Sequence, residues 1–187
     1  MFKREVDLTH ILQGCRQGQR NSQRQLYEHF YGYAMNVCLR YSKNREQAVE
    51  ILNDAFLKAF TRLDQYDPAY PFKAWLRRIL VNSAIDYFRK NNSLPVHLDI
   101  SAAMGLADDD FPLPQLAENE DVLPILQHLS PAYRLVFNLY VMEEYSHQEI
   151  ATMLGIDVRT SRSNLMRAKE KIRALMLQKT FKPVSLN

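Results

Sequence analysis

The chain has 187 residues, enough for one medium-sized domain or two small ones. Its formal net charge is +3 and its apolar fraction, 47%, is that of an ordinary globular protein. Five glycines argue against a β-rich or loop-rich chain, and long stretches without Gly or Pro predict an all-α fold. The start MFKREVDLTH holds no apolar run of signal-peptide length, and nowhere do about 18 apolar residues follow one another, so no membrane insertion is expected.

Residues 5–91 read as four helices. Cys15 and Cys38 fall inside helical patterns without metal-ligand spacing, which suits reduced structural thiols in a cytoplasmic protein. The second helix repeats Leu26, Phe30, Val37 and Tyr41 on one side, with Asn21 or Ser22 as its expected N-cap. The third, about 45–63, sets Val49, Leu52, Phe56 and Phe60 on one face and Glu50, Asn53, Asp54 and Leu57 on the other. A polar turn, Asp64–Pro71, carries two prolines and two tyrosines. The fourth helix, Phe72–Asn91, is expected to bury Trp75, Ile79 and Ile85.

That fourth helix also carries Lys73, Arg77, Arg78, Arg89 and Lys90 against a single acid, Asp86. Tyr66, Tyr70, Phe72, Tyr87 and Phe88 accompany them. Cations beside aromatic faces suit opened DNA, whose bases stack and whose phosphates pair. Aromatics at helical spacing are equally what a core stripe looks like.

Residues 92–120 read as a flexible linker between a domain over 1–91 and another over 121–187. They hold three of the eight prolines and one Gly. No Lys or Arg occurs from Asn92 to Asp121, whereas Asp99, Asp108, Asp109, Asp110, Glu118, Glu120 and Asp121 all do. The basic residues are thereby concentrated in the two halves, as polyanion-binding faces require.

Beyond the linker, Ser130-Pro131 marks a helix start, Ser as N-cap and Pro at the first helical position. Leu135, Val136, Leu139 and Tyr140 are expected inward. Ser146-His147-Gln148-Glu149 fits a capping box, and the short helix it opens stops at Gly155. Asp157 then caps a last helix with Val158, Leu165, Ala168, Ile172 and Leu175 in one stripe. A short helix, a glycine turn and a second helix make a helix-turn-helix, with Ala151 at the close crossing and Ile150, Leu154, Ile156 and Leu165 in the wedge. Ser161 stands where such a motif buries an apolar residue, and a bond to a carbonyl one turn earlier would satisfy it. The outward face of the last helix is read as Arg159, Thr160, Arg162, Ser163, Met166 and Arg167. From Gly155 to Arg173 there are six Arg or Lys and two acids, a local charge of +4. Arg in that setting binds phosphate or the guanine edge.

His10, His29, His97, His128 and His147 are scattered, and no phosphate loop or nucleophile motif is present. No catalytic site, metal or cofactor is therefore expected, and the chain does not read as an enzyme.

The order of the motifs carries a resemblance. AVEILNDAFLKAF (48–60) is similar to region 2.2 of bacterial sigma-70 factors, and PFKAWLRRILVNSAIDYFRK (71–90) to regions 2.3 and 2.4. LSPAYRLVFNLYVMEEYSHQEIATMLGIDVRTSRSNLMRAKEKIR (129–173) resembles region 4. With no room for region 3, the resemblance is to the small two-domain, extracytoplasmic-function (ECF) group. It implies a factor that binds core RNA polymerase and directs promoter recognition, DNA melting and initiation. Glu50, Asn53, Asp54 and Leu57 would grip the clamp helices of the largest subunit, where many relatives carry D, Q and E, and the second domain would meet the flap. Tyr66, Arg77, Arg78, Asn82, Asp86, Arg89 and Lys90 would serve the −10 element, the turn Asp64–Pro71 pocketing one flipped base. Arg159, Thr160, Arg162, Ser163, Met166 and Arg167 would hold the −35 element. The linker acids would lie along a basic channel of the polymerase. Control by an anti-sigma protein, often membrane-bound, is implied too. Two other readings stay open: a stand-alone helix-turn-helix regulator, which leaves 46–91 unexplained, and a sigma mimic that titrates an anti-sigma factor.

Overall fold

The computed structural model describes residues 7–91 and 122–180, and every regular element among them is helical. The expected linker, 92–120, lies outside the described residues, as do its acids. The described residues form two compact units: one of those up to Leu39 with Asn44–Tyr87, the other of Arg40–Lys43 with those from Phe88 onward.

In the first unit, α1 (Leu8–Arg16) starts at Asp7, whose carboxylate accepts from the His10 backbone N–H at 3.2 Å. Gly18, at φ 72°, turns the chain at once into α2 (Arg20–Tyr41). The helical ladder of α2 already includes Gln19, whose carbonyl accepts from Gln23 N–H at 3.1 Å. Asn21 and Ser22 therefore lie in the first turn and do not cap it, because the glycine reversal leaves no extended residues for a later start. Ser22 is buried against Gly14, where a Cβ would stand only 2.1 Å from its Oγ.

Asn44 caps α3 (Arg45–Thr61) by accepting from Gln47 N–H at 3.0 Å. Arg62 leaves the helix at φ −111°, two residues earlier than the apolar pattern indicates, and Leu63–Gln65 form a single 3₁₀ turn. After the turn comes α4 (Phe72–Asn91). Leu26, Ala34, Ala48, Leu52, Ala55, Leu76 and Leu80 are wholly buried, and Phe72 gathers the rings of Phe30, Tyr66 and Trp75 at 5.1–5.4 Å. Val49, Phe60 and Trp75, expected inside, are half-buried on the flanks of this core.

The second unit contains α5 (Val122–Gln127) and α6 (Pro131–Phe137), the latter capped by Ser130 with Pro131 following. A widened π-turn, Asn138–Met142, extends α6 and rolls Leu139 fully inward while Tyr140 stays half-buried. Glu144, at φ 60°, reverses the chain into α7 (His147–Leu154), and α8 (Val158–Thr180) follows. Arg134 ties the start of the unit together: 2% exposed, its Nε donates to Leu126 O and its Nη2 to Leu129 O, both at 2.9 Å. These carbonyls lie at and just beyond the C-terminal end of α5, where a cation is favoured, and the Leu126 carbonyl accepts from Leu129 N–H at 3.0 Å as well. Burial pushes the guanidinium pKa below its ordinary value, yet the group stays charged at neutral pH.

Two substitutions test this packing by urea unfolding. Arg134→Met keeps the bulk but takes a donor from each of these carbonyls and is expected to lose about 2–4 kcal/mol; a loss under about 0.5 kcal/mol would overturn the assignment. Gly14→Ala is expected to lose about 1–3 kcal/mol through the Ser22 clash, and unchanged stability would show that the α1–α2 corner has room.

Candidate nucleic-acid interface and the α3 face

The rotation of α3 follows from what it buries. Ala48, Ile51, Leu52, Ala55, Phe56 and Ala59 face the core, so the helical period turns Glu50, Asn53, Asp54 and Leu57 out. Leu57 is 63% exposed, the apolar centre of a polar face. The polar residues are not merely solvated. Tyr27 Oη of α2 donates to Asn53 Oδ1 at 3.3 Å, and Lys58 Nζ meets Asp54 Oδ2 at 2.7 Å and Asp86 Oδ2 of α4 at 2.9 Å. Burial works against the Lys58 charge, but Asp54 and Asp86 together outweigh it and hold the pKa above the ordinary lysine value. Tyr87 of α4 is shifted up first by burial and then by the Glu50 carboxylate hydrogen-bonded to it. Lys58 is absent from the residues singled out by sequence, although its place four residues after Asp54 on one helix was a usable signal.

On α4, Arg78, Asn82, Asp86, Arg89 and Lys90 are exposed, and Arg77 is half-buried. The opposite side buries Leu76, Ile79, Leu80, Val81, Ser83 and Ile85. Tyr66 corrects the sequence reading. It is buried, edge-on to Phe72 at 5.2 Å, and its Oη donates to the Tyr70 carbonyl at 2.7 Å. Its backbone carbonyl accepts from Arg16 Nη2 at 3.4 Å. Tyr66 pins the turn from inside, and the ring that the turn offers outward is Tyr70, 67% exposed. Spacing alone did not separate the two tyrosines, because which one turns inward depends on the 3₁₀ turn before them.

In the second unit the capping box is formed. Glu149 N–H donates to Ser146 Oγ at 3.3 Å and Ser146 N–H to Glu149 Oε2 at 2.8 Å. These bonds to Ser146 hold the Glu149 pKa below the usual carboxylate value. Gly155 stands at φ 66°, and Asp157 Oδ1 accepts from Arg159 N–H at 2.7 Å, starting α8. Ile150, Ala151, Leu154 and Leu165 are buried between α7 and α8, with Ile156 half-buried.

Ser161 is wholly buried, and its Oγ pairs with His147 Nδ1 of α7 at 2.9 Å rather than with the carbonyl one turn back that sequence suggested. The imidazole is in turn stacked on Tyr140, centroids 4.5 Å apart. Thr160 is the second correction: 3% exposed, it lies on the buried stripe that continues through Asn164 and Ala168 at four-residue steps. It therefore does not belong to the outward face. That face holds Arg159 and Arg162, both exposed, with Ser163, Met166 and Arg167 half-buried beside them. Ser163 Oγ donates to Thr160 O at 3.1 Å, and Arg167 meets Glu170 at 3.4 Å. The result is a helix N-terminus and two exposed guanidinium groups on one side of a two-helix wedge, a composition suited to a phosphate-lined groove.

Two family models match the chain: "Sigma-70 region 2" over residues 26–94 and "Sigma-70, region 4" over residues 120–172. The RNA polymerase sigma factor CnrH of Cupriavidus metallidurans is 31% identical over 137 residues, 68% of this chain and 72% of that protein. The ECF RNA polymerase sigma factor SigM of Bacillus subtilis is 24% identical over 152 residues, 81% of this chain and 93% of the relative. A probable RNA polymerase sigma factor, RfaY of Xanthomonas campestris, is 28% identical, and the match spans 92% of this chain but 44% of that longer protein. Among solved structures, CnrH in complex with the cytosolic domain of CnrY aligns with 90% of the chain and 96% of its own, at TM-score 0.45 and 23% identity. No helix among the described residues is long and apolar enough to cross a membrane.

The depressed Glu149 pKa has a definite sign. The folded form holds the proton less well than the unfolded one, so the stabilisation is present above the ordinary carboxylate value near 4.5 and is lost as pH falls below it. Thermal melts of wild type and Glu149→Gln should accordingly converge in acid and separate near neutrality. A constant gap across that window would mean the carboxylate charge plays no part in the cap.

Proposed function

We propose a division of labour for this chain, which belongs to the sigma-70 family of RNA polymerase sigma factors and to its ECF group, and works in transcription initiation. Residues 1–91 bind the polymerase and the −10 element, 121–187 take the −35 element, and 92–120 tether the two.

The face of α3 is the polymerase contact. Leu57 supplies an apolar anchor, and Glu50, Asn53 and Asp54 form a polar rim around it, the composition of an interface centre and its edge. The clamp helices of the largest subunit are the partner for this face, and the flap for the second unit. Arg77, Arg78, Asn82, Asp86, Arg89 and Lys90 follow the opened −10 strand, where Arg and Lys meet phosphates and Asn82 and Asp86 face bases. Tyr70, in place of Tyr66, is the ring on which an unstacked base rests. Arg159, Arg162, Ser163, Met166 and Arg167 enter the major groove of the −35 element.

Each unit alone binds DNA weakly. Polymerase sets the distance between them, so that the second contact becomes intramolecular and both promoter elements are held together. The acidic tether lies along a basic channel of the polymerase. An anti-sigma protein masks the same faces when initiation is to be withheld, and any membrane link runs through that partner, the sigma factor itself acting in the cytoplasm.

The observation that carries this reading is the outward face of α8, Arg159 and Arg162 exposed on a capped helix-turn-helix. Its test is capture of core RNA polymerase by the purified chain, followed by run-off transcription on genomic fragments. Specific capture with new start sites is expected. Arg162→Ala with Arg167→Ala should lower run-off by about tenfold or more, the value of lost guanine or phosphate contacts, and leave capture unchanged. Capture without initiation points to a mimic that titrates an anti-sigma factor, and no capture to a stand-alone DNA-binding regulator.

A further inference from the structure

Between the α3 face and the α4 face sits Lys58, a residue that neither assignment includes. Its side chain is 24% exposed, against 48% for Asp54 and 57% for Asp86. Nζ lies 2.7 Å from Asp54 Oδ2, 2.9 Å from Asp86 Oδ2 and 3.2 Å from Oγ of the buried Ser83. An ammonium has three N–H donors, and three oxygens surround this one, so its capacity is filled. One of those oxygens belongs to the face assigned to polymerase and another to the face assigned to the opened strand.

We propose that Lys58 is a positioning residue that holds Asp86 ready for the promoter strand and couples it to polymerase binding at Asp54. The proposal rests on the assignment of those two carboxylates given above. An uncompensated carboxylate on a phosphate-binding face repels the strand, and the ammonium at 2.9 Å cancels that charge. The ion pair occupies Asp86 Oδ2 and leaves Oδ1 to accept from the exocyclic amine of a base. While the chain is alone, Asp54 shares the same ammonium. When a basic group of the polymerase satisfies Asp54, the charge of Lys58 goes more fully to Asp86. Polymerase binding then favours strand binding, and the coupling holds equally in reverse.

The test uses holoenzyme reconstituted with wild-type chain, Lys58→Met, Lys58→Arg, Asp86→Asn and the double variant Lys58→Met/Asp86→Asn. Promoter opening is read by permanganate reactivity of unpaired thymines, and polymerase affinity is measured separately. Lys58→Met is expected to lower opening about tenfold, the scale of one charge-assisted hydrogen bond. Its polymerase affinity should stay within about threefold, the range of one exposed ion pair. Lys58→Arg should restore opening, and the double variant should be no worse than Asp86→Asn, because the first change acts through the second residue. Four outcomes overturn the role: wild-type opening by Lys58→Met, failure of Lys58→Arg to restore it, a double variant that loses the product of the single losses, or an equal fall in opening, affinity and thermal stability. Wild-type opening by Asp86→Asn removes the assignment of Asp86 itself, and is told apart from those by that single variant.

Discussion

The buried side of α3 constrains the first unit more than any other feature. Ala48, Ile51, Leu52, Ala55, Phe56 and Ala59 are each 2% exposed or less. Burying Ile51, Leu52 and Phe56 is worth about 1.5–3 kcal/mol apiece, whereas an exposed ion pair contributes about 0–1 kcal/mol. Packing therefore decides how α3 is rotated, and the polar contacts adapt to that rotation. The three alanines let neighbouring backbones come close, which brings Tyr27, Asp86 and Tyr87 within reach of Asn53, Lys58 and Glu50. The outward polar face of α3 is thus organised by the core behind it, and its acids are held in place by neighbouring helices.

The second unit relies on buried polar groups to a greater degree. Arg134 is enclosed, yet its donors meet backbone carbonyls at and just beyond the end of α5. Ser161 and His147 join the two helices of the helix-turn-helix by a hydrogen bond where apolar packing is the usual solution. A buried polar pair is stable only when both members are satisfied, so it admits fewer relative placements of α7 and α8 than a greasy contact does.

Charge follows the same division. The cations of α4 and α8 stand on faces whose reverse sides are apolar, so neither helix can hide them without exposing its core residues. Exposed charges of this kind attract a polyanion weakly one by one, and salt screens them. Two such faces on one chain gain strength when their separation is fixed, because the second contact then becomes intramolecular.

Much of this was legible in sequence. Low glycine content and the 3.6-residue period determined the helical class, and the capping box, Gly155 and Asp157 marked the helix-turn-helix, because all of these are local and act within one or two turns. The outward set Glu50, Asn53, Asp54 and Leu57 was legible for the same reason. What a long-range contact decides was not. Tyr66 reads like Tyr70 until the turn packs against Phe72, and Thr160 reads as exposed until α8 is rotated by Asn164, Leu165 and Ala168 against its neighbours. Ser161 could be satisfied from its own helix or from another, and only the approach of His147 selects the second. Sequence determined which residues share a helix and roughly which way they turn; tertiary structure alone decided which polar groups meet across helices, because those meetings depend on helix spacings set by the whole core.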